Sequence, residues 1–464
     1  MPQCRRSPPT DPTRLDDSRR RLGRMRRSMR CSLVAAALGL VVAACGGGTT
    51  TAPVDTEPPR TTTIAPRISD GALRLGLLVP RSGPGATIGE PLVAIVEAAV
   101  RAINDNGGVN GSPIELFVED EGGDSATALA AIDTLVTTHA VDAVVGPFSS
   151  SVALSTLPTL LAANVGVCSP AATTASLTNF PDRGMFVRTS PSDSLAALAM
   201  AQEVARTGIR STVLAYPDDP FGRDYATDVR RALGLEGIAI VSEIQYDPGD
   251  DDYSEDVATL ADGLVVTLIG DEESGARFLS TTLTTFSDTV VIVNDALARA
   301  DLSSDPVMET DGRMSITGVA VDSAAGFSDL YATLQQAGLE LPLAPLGPND
   351  NPFAETRVAP VPLATASVDC VNLIALSALA TKSDDALVFM DEAIPTSRGG
   401  SACLTFDECT ALIASGLNID YNGPTRLLAL SPNGDPSIAT FVTFGFGDDG
   451  KAEYRTEIGV VSAP

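Results

Sequence analysis

From residue 73 the chain alternates two hydrophobic patterns. LRLGLLV, IELFVED, VDAVVG and VGVCS are short apolar runs of the kind that form buried strands. Between them lie longer segments with helical spacing. PLVAIVEAAVRAIN sets Val93, Val96, Val100 and Ile103 on one face; SATALAAIDTLVTT and SSSVALSTLPTLLAA follow, and GGVNG marks a turn. Val-, Ile- and Leu-rich strands separated by helices predict a parallel sheet covered on both faces, a doubly wound α/β unit. After MFVRTSP a second series begins. STVLAYP, IAIVSEI, LVVTLIG and TVVIVND read as strands; SLAALAMAQEVARTG, FGRDYATDVRRALG, YSEDVATLAD and SGARFLSTTLTTF read as helices. The remainder, with MSITGVAV and TFVTFGF, holds too few strands for a third sheet and is expected to complete the first two. The expected lobes are residues 71–190 plus 320–433, and 191–319 plus 434–464. LELPLAPLGPNDNPFAETRVAPVP reads as a Pro-rich loop.

The first seventy residues follow another logic. RRRLGRMRRSMR is a basic n-region, and CSLVAAALGLVVAA is an apolar run too short for a stable span. VAAC, ending at Cys45, has the form of a lipobox, and GGGTTTAP follows it. Residues 1–44 are therefore expected to be a signal peptide, Cys45 the lipidated first residue of an exported lipoprotein, and residues 45–70 a flexible tether. Export implies an oxidising compartment. Cys403 and Cys409 flank Thr405-Phe-Asp-Glu408, a capping-box pattern, and a bridge between them would staple a helix start. Cys168 and Cys370 read equally as buried thiols or as a second bridge. The net charge of −28 and the absence of Trp argue against nucleic acid as a partner.

Candidate chemistry is concentrated in GPFSSSVALSTLPTLLAANVGVCSPAATTAS. Ser149–Ser151 and Ala171–Thr174 each sit where a strand ends and a helix begins. In open parallel sheets ligands bind there, and hydroxyls with helix-start amides form an anion cradle. A serine nucleophile needs a nearby base, yet the chain has one histidine, His139, placed between a helix and the next strand and read as an exposed loop residue. GxSxG, P-loop and GxGxxG motifs are absent. Asp247–Asp256, DPGDDDYSED, lacks EF-hand spacing and reads as a solvated loop capping the next helix. Neither a metal nor a cofactor is expected.

Several of these segments resemble a known family. LRLGLLVPRSGPGATIGEPLVAIVEAAVRAINDNGGVNGSPIELFVEDE, GPFSSS…CSPAATTASLT, DDPFGRDYATDVRRAL, IDYNGP and SPNGDP are similar to segments of the periplasmic leucine/isoleucine/valine-binding proteins, over roughly residues 72–464. The resemblance implies a type I periplasmic-binding-protein fold: two doubly wound parallel-sheet lobes joined by three crossovers. It implies that Ser150 bonds a ligand carboxylate, that the Ala171, Ala172, Thr173 loop meets both ligand ends, and that Asp295 pairs an α-ammonium. Phe221 stands for a tyrosine, Ile88 for a bulkier aromatic, and Gly270 for a further tyrosine, which implies a differently shaped pocket. The expected protein is a monomeric, lipid-anchored receptor on the extracytoplasmic face of a bacterial cell membrane, not an enzyme, passing an amino-acid-like ligand to ABC permease subunits. The rival readings are a sensor of the same fold, a hydrolase using Ser150 or Ser169, and an adhesion lipoprotein with a degenerate cleft.

Overall fold

The computed structural model describes residues 69–83, 85–260, 264–309, 314–321, 326–339, 361–426 and 428–461. The expected signal segment, Cys45, the expected tether up to residue 68 and most of the Pro-rich loop lie outside the described residues.

The first lobe is built on five parallel strands: β1 (Arg74–Val79), β2 (Glu115–Asp120), β3 (Ala143–Val145), β4 (Gly166–Ser169) and β5 (Phe186–Arg188). Their order is β2-β1-β3-β4-β5. Helices α1 (Ala86–Asp105), α2 (Ser125–Asp133) and α3 (Ser150–Ala162) connect them. Leu92, Ile95, Val96, Ala99 and Ile103 form the buried stripe of α1, and Asp124 caps α2 by accepting from the amides of Ala126 and Thr127. A π-helical turn, Thr134–Thr138, extends α2 toward His139. His139 is half-buried rather than an exposed loop residue, because its ring stacks on Phe117 of β2 at 4.3 Å.

The second lobe opens with α4 (Asp193–Arg206), β6 (Ser211–Pro217), α5 (Pro220–Leu235), β7 (Ala239–Tyr246), the single turn α6 (Ser254–Val257), β8 (Val265–Leu268), α7 (Ser274–Thr285), β9 (Val290–Val293) and β10 (Ile316–Val321). Among the described residues, YSEDVATLAD keeps one α-helical turn of the helix its pattern predicts. The chain then returns to the first lobe through α8 (Phe327–Gln336), α9 (Ala364–Thr381), α10 (Ala386–Thr396), β11 (Ser401–Cys403), α11 (Phe406–Ala414) and β12 (Ile419–Tyr421). It ends in the second lobe with β13 (Ile438–Phe446) and β14 (Ala452–Val461). The sheet order there is β14-β13-β10-β9-β8-β6-β7. Strands β6 to β10 are parallel, but β13 and β14 join antiparallel, so the sheet departs from the all-parallel expectation at one edge. A nine-residue strand turned back by a Gly-Asp-Asp-Gly loop can only add as a hairpin.

Three chain passages therefore link the lobes: β5 to α4, β10 to α8, and the segment after β12 to β13. Alternate residues of β6 divide between two buried clusters, Val213 and Ala215 on one face and Leu214 and Tyr216 on the other, as period-2 geometry requires of a sheet covered on both sides. The first lobe has one continuous core, to which α9 contributes Val368, Val371, Ile374 and Ala375. Helix α9 is apolar and long enough to span a bilayer, but it is mostly buried in the lobe. Two disulfides are formed. Cys168–Cys370 joins β4 to α9, and Cys403–Cys409 closes the start of α11, where the Thr405/Glu408 capping box is present.

Candidate functional site

Strand order reverses between β1 and β3 in one sheet and between β6 and β8 in the other, and ligands of such sheets bind beyond the carboxyl ends at those points. Ser150 follows β3, Ala171–Thr173 follow β4, Phe221 follows β6, Gly270 follows β8 and Asp295 follows β9, while Ile88 starts the helix after β1. All of them lie at carboxyl ends of their sheets.

Within the first lobe the two hydroxyl clusters are joined. Ser150 Oγ accepts from the amides of Thr173 at 3.2 Å and Thr174 at 3.3 Å. With its lone pairs occupied, the hydroxyl has its own proton left to offer, which makes it a donor suited to an anion. Ser169 Oγ donates to the carbonyl of Pro147 at 2.6 Å and accepts from the amide of Ala172 at 2.9 Å, so its hydroxyl is spent on structure. Ala172 is fully buried, and its carbonyl accepts from Arg188 at 3.0 Å. Its side chain presents no surface, its amide is spent on Ser169, and its carbonyl already accepts one bond. Ala171 and Ile88 are half-buried and pack on the first-lobe core.

The expected amide cradle before α3 is partly filled by the protein itself. Glu121, 1% exposed, accepts from the amides of Phe148 at 2.6 Å and Ser149 at 2.7 Å. Burial raises its carboxyl pKa, and those two amides act against the rise. The sequence reading missed Glu121, although an acid just beyond a strand end in VEDEGG is a signal of the right kind.

Arg188, at the end of β5, was also missed. It is fully buried, and its guanidinium bonds Asp435 through Nε at 2.6 Å and through Nη2 at 2.8 Å. The same group donates to the carbonyls of Ala172 and Thr174 and to the hydroxyl of Thr178. It thereby locks the 172–178 loop to the third interlobe passage while its charge is cancelled by Asp435.

The second lobe supplies acids. Asp193, at the start of α4, donates its amide to the carbonyl of Thr173 at 2.8 Å. Its carboxyl is pushed up to about 7, chiefly by burial; the Thr173 hydroxyl holds it down, nearby Asp295 pushes it further up, and Arg188 lowers it. Asp295 is itself raised by burial, with Arg299 opposing. Tyr225 of α5 is buried beside Asp295, Asp193 and Asp228, and its hydroxyl is raised well above the usual phenol value, mainly by burial. Asp193 is a third residue the sequence reading missed, since it lies just ahead of the segment SLAALAMAQEVARTG that reads as a helix. Thr173 thus touches both Ser150 and Asp193, and Asp193 lies within electrostatic reach of Asp295. Asp295 is linked to this group through its electrostatic effect on Asp193.

Phe221 begins α5, where Gly222 packs so closely on the carbonyl of Pro217 that a Cβ would lie 2.2 Å from it. Phe221 is 42% exposed, with its ring 5.8 Å from that of Tyr225. On the same helix Asp224 accepts from Ser176 Oγ at 2.7 Å, a bond that spans the two lobes beside the ligand loop. Gly270 is buried against Gly275 of α7, where a Cβ would lie 2.4 Å from the Gly275 Cα. The helix has closed over the space that a larger side chain would need. Among the described residues no group of three or more metal-ligating side chains occurs.

Two α/β lobes with polar groups at the carboxyl ends of facing sheets define the architecture of a cleft-binding protein. Residues 72–312 match the model of the family described as periplasmic binding protein, and the chain belongs to that family, one of binding proteins rather than enzymes. It is similar to the Leu/Ile/Val-binding protein BraC3 of Rhizobium johnstonii, 29% identical over 185 residues, which cover 39% of this chain and 49% of that protein. It is also similar to the chemotactic signal transduction system substrate-binding protein BasB of Halobacterium salinarum, 27% identical over 234 residues, 46% of this chain and 57% of that one. The chain spans about half the length of the curated relatives it matches. In structure it resembles the branched-chain amino acid transporter substrate-binding protein LivJ of Streptococcus pneumoniae in complex with isoleucine, with a TM-score of 0.58 and 17% identity over 84% of this chain and 100% of that one. It equally resembles a solute-binding protein from R. palustris in complex with 4-hydroxybenzoate, with a TM-score of 0.57 and 17% identity over 84% and 97% of the two chains. The fold is the type I periplasmic-binding-protein fold.

Proposed function

We propose that this chain is an extracytoplasmic lipoprotein, anchored through Cys45, that binds an amino acid or related small zwitterion between its lobes and delivers it to the permease of an ABC importer. The observation that carries this reading is the pairing of a proton-donating Ser150 on one lobe with the acids Asp193 and Asp295 on the other. A ligand carboxylate meets the Ser150 hydroxyl, and its ammonium meets the two carboxyls. Arg188, the buried cation nearby, is already neutralised by Asp435, and Arg299, which opposes the rise at Asp295, is paired with Glu272, which favours a ligand that brings its own positive charge. Phe221, Tyr225 and Ile88 leave an apolar wall for a side chain. A micromolar affinity corresponds to about −8 kcal/mol, within reach of one carboxylate donor set, one ammonium pair and such a wall.

The acids favour an amine-bearing ligand over an amine-free acid of the benzoate kind. The reading is tested with Asp295→Asn. Once a binding amino acid is found, titration calorimetry of the full chain should show its affinity reduced by about 2–5 kcal/mol in the variant, while any weak binding of the des-amino acid is unchanged. Equal loss for both would remove the ammonium role.

A second reading, sensing rather than transport, is favoured by the similarity to BasB, named for a chemotactic signal transduction system. Uptake of labelled ligand by cells with and without the gene separates the two; undiminished uptake supports the sensor.

A further inference from the structure

We propose that Glu121 is a positioning residue: from behind the first-lobe site it sets the place of the Ser150 hydroxyl, through the turn that opens α3. Its effect on ligand binding rests on the cleft reading; its placement of Ser150 does not. Glu121 follows the last residue of β2, and its amide donates to the carbonyl of Val79 at 2.9 Å. In the sheet order β2-β1-β3 its side chain passes over the end of β1 to reach the turn after β3. There Oε2 accepts from the Phe148 amide at 2.6 Å and Oε1 from the Ser149 amide at 2.7 Å.

Ser149 is the N-cap of α3, yet its own side chain makes no capping bond; its Oγ lies 3.0 Å from Ser151 Oγ instead. The two-point grip of Glu121 supplies from another strand the orientation that a local cap gives elsewhere. Ser150 comes next in the chain, and its Oγ accepts from the amides of Thr173 and Thr174. Fixing the Ser149 amide therefore fixes where that hydroxyl meets the second loop. The grip has a firm base. Asp120 accepts from the amides of Arg81 at 2.9 Å, Ser82 at 3.1 Å and Gly122 at 2.9 Å. Gly83 packs on the Gly122 carbonyl so closely that a Cβ would lie 2.3 Å from it.

Stability alone does not call for a charge at this point. Burial raises the Glu121 pKa, Asp120 adds to the rise, and the groups that oppose it are the two amides, with no cation among them. A buried charge without a cation is costly, and such groups concentrate at functional sites. The carboxylate does what a neutral residue of the same shape cannot. It offers two acceptors to two amides, whereas glutamine offers one and sets its own NH2 against the other amide.

Glu121→Gln tests this without a ligand. In hydrogen exchange of the full chain, the amides of Phe148, Ser149, Thr173 and Thr174 should exchange about tenfold or more faster, while those of β6 and β8 keep their rates. Thr173 and Thr174 bond Ser150 and not Glu121, so their response reports the displaced hydroxyl. Glu121→Asp keeps the charge, shortens the reach by one methylene and should move the same amides in the same direction; it serves where Glu121→Gln folds poorly. Calorimetry with the standard protein amino acids as probes adds a second readout. Glu121→Gln should weaken the tightest binder by about tenfold, and Glu121→Gln/Ser150→Ala should be no weaker than Ser150→Ala alone. Unchanged exchange at Thr173 and Thr174 would overturn the proposal. So would a loss that persists in full in the Ser150→Ala background, since Glu121 would then act on the fold at large. Should none of the probes bind, the amino-acid reading of the cleft fails, and exchange at Thr173 and Thr174 still decides whether Glu121 places Ser150.

Discussion

Ser150, Asp193 and Asp295 show how much chemistry three side chains gain from their partners. Ser150 is a donor because Thr173 and Thr174 consume its acceptor capacity. The half-buried Asp193 has its carboxyl pushed up to about 7, chiefly by desolvation and further by nearby Asp295. An ammonium arriving there favours the ionised carboxyl, so binding should release a proton. Affinity is then expected to rise with pH up to about 7, by at most about tenfold per unit, and to level off above it. Titrations in two buffers of different ionisation heat read the proton directly, and Asp193→Asn should abolish the slope. The sign for stability is opposite. A carboxyl raised from 3.8 to about 7 binds its proton more tightly when folded, so its contribution is present at low pH and is lost as pH rises toward 7. Unfolding of the ligand-free chain and of Asp193→Asn should therefore differ in pH dependence between about pH 4 and 7. At this scale the sequence pointed to the hydroxyl clusters and, through family resemblance, to Asp295, and the structure joins the two hydroxyl clusters through Ser150 and the Thr173 and Thr174 amides. It hid Asp193 and Glu121, since a lone acid at a helix start or strand end looks like any cap until the opposing lobe is in place.

Elements were more legible. The Val- and Leu-rich runs became the parallel strands, and Thr405-x-x-Glu408 became a capping box, because local periodicity and capping need no tertiary information. Features that depend on partners far along the chain were not legible: the antiparallel β13–β14 edge, the stacked His139, and the Cys168–Cys370 bridge across 202 positions. Arg188 belongs with these. It ties β5, the ligand loop and the 435 passage together through a pair in which both side chains are at least nine-tenths buried. Arg188→Met would strand the Asp435 carboxylate, and the expected destabilisation in denaturant titrations is about 3–5 kcal/mol. Arg188→Met/Asp435→Leu should recover much of it. A double variant no more stable than the single would mean that the carbonyl bonds to Ala172 and Thr174, rather than the ion pair, carry the effect.

At the scale of the whole molecule, the lobes meet beside the site through Ser176 and Asp224. A hydrogen bond to a carboxylate at an exposed position contributes on the order of 1 kcal/mol to the closed form. Ser176→Ala should therefore weaken ligand binding by roughly fivefold, mainly through faster release, and raise the radius of gyration of the ligand-bound chain in solution scattering. An unchanged dissociation rate would show that closure does not use this contact. The proposed grip draws on residues that follow the carboxyl ends of strands in both lobes, and ligand chemistry reads that proposal most directly. The deciding measurement is a thermal-shift panel on the full chain in which each amino acid is paired with its des-amino acid and its decarboxylated amine. The expected result is at least one amino acid that stabilises the chain, by about 2.7 kcal/mol at a hundredfold its dissociation constant, while both truncated partners fail to do so at the same concentration. A des-amino acid that stabilises the chain as well as its parent would contradict the two-ended grip of Ser150 against Asp193 and Asp295.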